Sequence, residues 1–122
     1  MMSGLVATLV LGFVGGPSAH DKAVTEMRLS HRQLIVGTWE CREGGYVLTW
    51  EFSRTGEFTA RVRRFDQRET TFADGGGYRV DDQWLEMDFS RVGAATGKVV
   101  QLDRRLLTLR WDSNTVVRFR RR

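Results

Sequence analysis

At 122 residues, with 41% hydrophobic and 28% charged side chains, the chain has the composition of one globular domain with a single core, which excludes wholesale disorder. The net charge of +4 is no argument for nucleic acid: Arg118, Arg120, Arg121 and Arg122 carry four of the 19 basic charges and the other 15 balance 15 acidic ones, so the excess reads as a C-terminal tail and not a basic face. Cys41 is alone and both histidines, His20 and His31, precede the repeating part of the chain, which excludes an intrachain disulfide and an all-cysteine metal site and removes the commonest general base from the body.

In chain order, residues 5–14 (Leu-Val-Ala-Thr-Leu-Val-Leu-Gly-Phe-Val) form a run of ten without a charge, followed by Gly-Gly-Pro-Ser-Ala. That run is too short to span a bilayer but matches the apolar part of a secretory signal. Residues 1–19 therefore read as a signal-like segment, and the chain as secreted or periplasmic. No basic residue precedes the run, and Pro17 sits badly for a cut after Ala19; a short buried N-terminal helix or a mis-assigned start codon is the other reading. No cysteine lies just after the run, so a lipoprotein anchor, and with it a stable membrane anchor, is not expected. Residues 20–33 read as a linker and one short helical turn, with Ser30 as cap and Gln33 completing a capping box. Leu29, Leu34 and Ile35 would form a small plug.

From Gly37 the hydrophobic period becomes two. A Gly44-Gly45 turn joins the first two strands, and Tyr46, Leu48, Trp50 and Phe52 share a face opposite Val47, Thr49 and Glu51. After a turn at residues 54–57, Phe58, Ala60 and Val62 alternate with Thr59, Arg61 and Arg63. The pattern loosens over residues 64–77, where Phe65 and Phe72 bracket an irregular strand and Gly75-Gly76-Gly77 reads as a flexible turn. Tyr78 and Val80 lead to a turn at Asp81-Asp82, then Leu85, Met87 and Phe89 alternate with Trp84, Glu86 and Asp88. Residues 92–97 read as a loop of small residues. Val100 and Leu102, then Leu107, Leu109 and Trp111, then Val117 and Phe119 complete about eight strands.

Turns this short leave no room for crossover helices, so neighbouring strands pair antiparallel as a meander. An open meander would leave two unpaired edges and an uncovered apolar face, and closing it removes both problems. The expected fold is all-β, an antiparallel up-and-down eight-stranded barrel over residues 34–122 with a short helical turn before the first strand; a two-sheet sandwich is the alternative.

Leu34-Ile35-Val36-Gly37-Thr38-Trp39 resembles the Gly-x-Trp opening of lipocalins and their small bacterial lipocalin-like relatives. The later order resembles them too: Trp50 and Phe52, a glycine turn, Phe58, then Gly77-Tyr78-Arg79-Val80 and Leu106-Leu107-Thr108-Leu109. The chain is also similar to short exported paralogues of planctomycete-type bacteria. The resemblance implies that Gly37 and Trp39 are structural, with Trp39 plugging the closed end of the barrel and Arg118 or Arg120 from the last strand packing across it.

An eight-stranded barrel is just wide enough to be filled by its own side chains or to hold one small ligand. The expected inward set of Tyr46, Trp50, Phe52, Phe58, Tyr78, Phe89 and Trp111 serves either purpose, as a ligand-binding lining or as an interlocked solid core. Glu86 with Asp88, and Asp81 beside Asp82, read as solvated strand and turn carboxylates; no catalytic residue, metal site or cofactor is expected. Arg61, Arg63 and Arg64 would make a patch with the C-terminal arginines if their strands met at closure; solvated, edge-guarding charge is the plainer reading. Cys41 reads as a small buried hydrophobe or as a reactive thiol. Two functions follow. One is a non-enzymatic exported barrel whose partner is a small apolar ligand. The other is a solid barrel with a protein partner, such as an inhibitor of an extracytoplasmic enzyme, working through residues 64–77 and 92–97. Nucleic acid is not an expected partner.

Overall fold

The computed structural model describes residues 29–112 and 114–122. The signal-like segment and most of the linker lie outside the described residues. A short helix, α1 (His31–Leu34), precedes eight strands: β1 (Gly37–Glu43), β2 (Tyr46–Phe52), β3 (Glu57–Arg64), β4 (Thr70–Val80), β5 (Trp84–Phe89), β6 (Gly93–Leu102), β7 (Leu106–Arg110) and β8 (Val116–Arg121). Each strand pairs antiparallel with the next, and β8 returns to β1, giving a closed up-and-down barrel. Closure rests on the pairs Trp39 with Arg121 and Glu40 with Arg120, and on a bond from the Arg122 amide to the Thr38 carbonyl at 2.9 Å.

Ser30 and Gln33 form the capping box that starts α1, with reciprocal bonds of 3.2 and 2.9 Å between side chains and amides. Two donors at the helix start are thus satisfied by one residue pair. The helix is short because its work is to set Ile35, fully buried, over one end of the barrel. Alternation then sorts the strands as period two requires. Trp39, Trp50, Phe52, Phe58, Leu85, Met87, Leu107, Leu109 and Phe119 all fall in one core.

Three expectations need correction. Gly75-Gly76-Gly77 is not a turn: it lies within β4, paired with β3 on one side and, at Gly76 and Gly77, with β5 on the other. A Cβ on Gly76 would overlap the Asp88 carbonyl oxygen, so glycine here lets two backbones approach where a side chain would part them. Residues 93–97 are likewise strand, paired with β5, and the turn lies at residues 90–92. In β6 a register irregularity between Val99 and Gln101 sends Val99 and Leu102 inward and leaves Val100 54% exposed, so the expected Val100 position is displaced by one.

The charge readings change as well. Residues 118–121 are not a tail but part of the strand that closes the barrel. In the barrel order β3 is separated from β8 by β1 and β2, so Arg61, Arg63 and Arg64 do not meet the C-terminal arginines. Arg63 turns back to the carbonyls of Arg64, Phe65 and Gln67, and Arg42 lies 4.9 Å over the Phe65 ring. Together they hold the β3–β4 turn against the outer wall.

Candidate functional site

The two ends of the barrel differ. At the end covered by α1, Trp39 is completely buried and its indole N–H donates to the Ile35 carbonyl at 2.8 Å. The cation packed across it is Arg121, with Cζ 4.3 Å from the ring centroid. Arg118 and Arg120, the expected packing residues, are exposed, because β8 alternates and Arg121 shares its inward face with Val117 and Phe119. The Arg121 guanidinium donates to the carbonyls of Leu34, Val36 (2.9 Å) and Arg104 (2.7 Å). It therefore ties the cap, the start of β1 and the β6–β7 turn together. Gly37 has φ +137, and a Cβ on it would overlap Arg121 Nη1. The glycine of the Gly-x-Trp opening is thus required by its backbone conformation, and its missing side chain leaves room for the arginine.

Above this plug the aromatic rings interlock. Trp50 stacks at 4.3 Å on Phe119 and meets Phe52 and Trp111 edge-on at 6.1 and 6.2 Å. Phe52 continues the chain to Tyr78 and Phe58, and Phe58 to Phe89 at 4.9 Å. Six of the seven aromatic residues expected inside are therefore brought together, and Tyr46 is not: it stands at the open rim, 42% exposed. The Tyr78 hydroxyl donates to the Ser53 carbonyl at 2.6 Å, and burial pushes its phenol pKa up, with Arg32 pulling the other way.

Towards the open end the inward side chains are less covered. Leu48 pairs with the buried Cys41 and with Val62, Val62 with Phe72, and Val117 with the buried Leu109. Leu48, Val62, Phe72, Trp111 and Val117 are all half-buried although they face the lumen. These apolar side chains are therefore partly open to solvent at this end of the barrel. Trp111 leaves no space against Gly97, where a Cβ would sit 2.9 Å from its ring. Arg91 stands at the rim with its guanidinium carbon 5.4 Å over Phe72, and its amide donates to Asp74 Oδ2 at 3.0 Å.

Sequence reasoning passed over Phe119, Leu48, Val62 and Val117 as lining residues. Their signal was present in the strand alternation, but side-chain size alone does not single them out. Cys41 sits under this mouth, and burial, then the Glu43 carboxylate, raises its thiol pKa; such a thiol is a poor nucleophile. Among the described residues no group of three His, Cys, Asp or Glu side chains is placed to hold a metal ion, and no helix is long and apolar enough to cross a membrane.

No family model matches the chain, and no curated protein matches it. Among solved structures it is similar to a lipocalin-like protein from Bacteroides uniformis ATCC 8492, with a TM-score of 0.60 and 19% identity over 72% of this chain and 98% of that one. Closed eight-stranded topology, the helix before the first strand and this structural match together give the chain a lipocalin-like fold.

Proposed function

We propose that the protein is a non-enzymatic, exported lipocalin-like barrel that holds a small apolar molecule in a shallow cup at its open mouth. The observation that carries this reading is the gradient of burial along the lumen. Inward apolar residues are sealed at the Trp39 end and half-exposed around Leu48, Val62, Trp111 and Val117. Wetted apolar surface at the open end is released from water when a ligand covers it, at about 25 cal/mol per Å². Arg91 at the rim adds a positive charge for a carboxylate head group. The interlocked rings below limit the depth of the cup, so the ligand is one that lies at the mouth and does not thread the barrel.

Titration with laurate, read by tryptophan emission, tests this directly. Trp111 lines the cup and touches Trp50, so a saturable change is expected, lost in Leu48→Arg and retained in Trp84→Phe on the outer wall. Absence of a saturable response to laurate or retinol in the unaltered protein would discard the mouth. The second reading would then stand: a solid barrel that works through its outer surface, favoured by the completeness of the aromatic network. Its working surface would differ from the one expected from sequence, since residues 70–77 and 93–97 are paired strand.

A further inference from the structure

The opposite end of the barrel carries a second feature unrelated to the mouth. Beside the cap, a recess of about 650 Å³ is lined by Arg104, Arg105 and Arg120 together with Leu34, Leu102 and Leu106. Among the described residues no ion pair joins any of these three arginines to a carboxylate; Glu40, opposite Arg120 in the register, lies 3.9 Å from Arg42 instead.

The one acid in the wall, Asp103, is engaged by its own turn. Its Oδ1 accepts from the amides of Arg105 and Leu106, both at 2.8 Å, and its Oδ2 from Gln101 at 3.0 Å. The Arg105 charge also draws on this carboxylate and helps to hold its pKa down, but three cations against one acid leave the concavity net positive, which favours an anion. The forked N–H donors of the guanidinium groups suit the tetrahedral oxygens of a phosphate better than an ammonium would.

The turn that carries two of them is rigidly placed. Arg121 Nε donates to the Arg104 carbonyl at 2.7 Å and the Arg121 amide to the Arg105 carbonyl at 2.9 Å. The same residue that packs on Trp39 thus sets the recess. Leu34 and Leu106 are half-buried beside the cations and offer apolar wall for a substituent on the phosphate.

We propose that this closed-end recess binds the phosphate of an alkyl phosphate, with Arg104, Arg105 and Arg120 on the oxygens and the alkyl group against Leu34, Leu102 and Leu106. The same head-group chemistry is met in soluble phosphate monoesters and in phosphatidic acid. Because the site is built on the β6–β7 turn and β8, occupancy is expected to stabilise the closed barrel by mass action.

The test is thermal unfolding of the full chain with hexyl phosphate, inorganic phosphate or neutral hexyl glucoside. Hexyl phosphate is expected to raise the midpoint saturably and to bind at least about tenfold more tightly than inorganic phosphate, the worth of about two buried methylenes. Hexyl glucoside is expected to give no shift. Arg104→Ala with Arg105→Ala, both on an exposed turn, is expected to weaken hexyl phosphate by about tenfold or more. Sedimentation with phosphatidylcholine vesicles containing phosphatidic acid, but not with phosphatidylcholine alone, would assign the lipid source; sedimentation with neither would assign the soluble one. The proposal is overturned if hexyl phosphate gives no saturable shift, if inorganic phosphate binds as tightly, or if the double variant responds like the unaltered protein. Should the double variant unfold, NMR contacts from the hexyl chain to the methyl groups of Leu34, Leu102 and Leu106 decide the matter, and their absence overturns it.

Discussion

Removing the Arg121 side chain would leave the carbonyls of Leu34, Val36 and Arg104 without donors and take a cation from the face of Trp39. The combined loss of charge-assisted hydrogen bonds and a cation–π interaction puts Arg121→Ala at about 3–5 kcal/mol of destabilisation in urea unfolding. Arg121→Lys is expected to recover only part of that, because one ammonium cannot reach three carbonyls and stack as well. A loss below about 1 kcal/mol for the alanine variant would mean the plug does not hold the barrel. Gly37 and Trp39 were expected to be structural from the resemblance to the Gly-x-Trp opening, and the same resemblance put the arginine at 118 or 120. The parity of Val117 and Phe119 already pointed to 121, since a cation in step with inward apolar residues must find its partners inside. Asp103 gives a pH-dependent prediction at the same scale. Burial raises its pKa, but bonds from the Arg105 and Leu106 amides and from Gln101 outweigh it and hold the value below the ordinary one. A lowered folded pKa stabilises above the unfolded value of about 3.9 and ceases to do so as pH falls through the folded one. Asp103→Asn should therefore flatten the acid limb of the stability profile below about pH 4; an unchanged limb would show that Asp103 does not anchor the turn.

Elements poor in large side chains were the least legible. β4 runs through three consecutive glycines and β6 opens on Gly-Ala-Ala-Thr-Gly, so neither carries a hydrophobic period to announce a strand. What makes them strands is the neighbours: β4 is squeezed between β3 and β5 closely enough that a Cβ on Gly75 would meet the Phe58 carbonyl oxygen at 2.8 Å. That crowding is a tertiary fact with no local signature. Gly76→Ala should cost about 2 kcal/mol or more, because the obstructing atom is backbone and cannot swing aside; native-like stability would show that the two strands part without penalty. β8 was legible in Val117 and Phe119, but the charge of its alternate arginines read from composition as a tail and not as the outer face and closing end of that strand. Deletion of residues 120–122 removes both residues that register with β1. Such a chain should lose its cooperative unfolding transition by circular dichroism, and retention of that transition would place closure elsewhere.

For the molecule as a whole, the architecture was legible in the sequence because a barrel needs only period two, short turns and closure. The lumen was not, because whether inward rings interlock or stand apart depends on register and twist. In the structure the closed half is solid, from Trp39 through the Trp50–Phe119 stack, and the open half presents half-buried Leu48, Val62 and Val117. Cys41, at the boundary, should react with iodoacetamide in the folded protein far more slowly than in the unfolded chain, and the same rate in both would show that solvent reaches past Leu48. All of these readings presuppose that the last strand is bonded to the first. Native-state hydrogen exchange by NMR examines that bond most directly. The Arg122 amide, donated to the Thr38 carbonyl across that closure, should exchange slowly and lose protection in Arg121→Ala; exchange at the rate of an unstructured chain while β2 and β3 stay protected would show an open sheet and contradict the account.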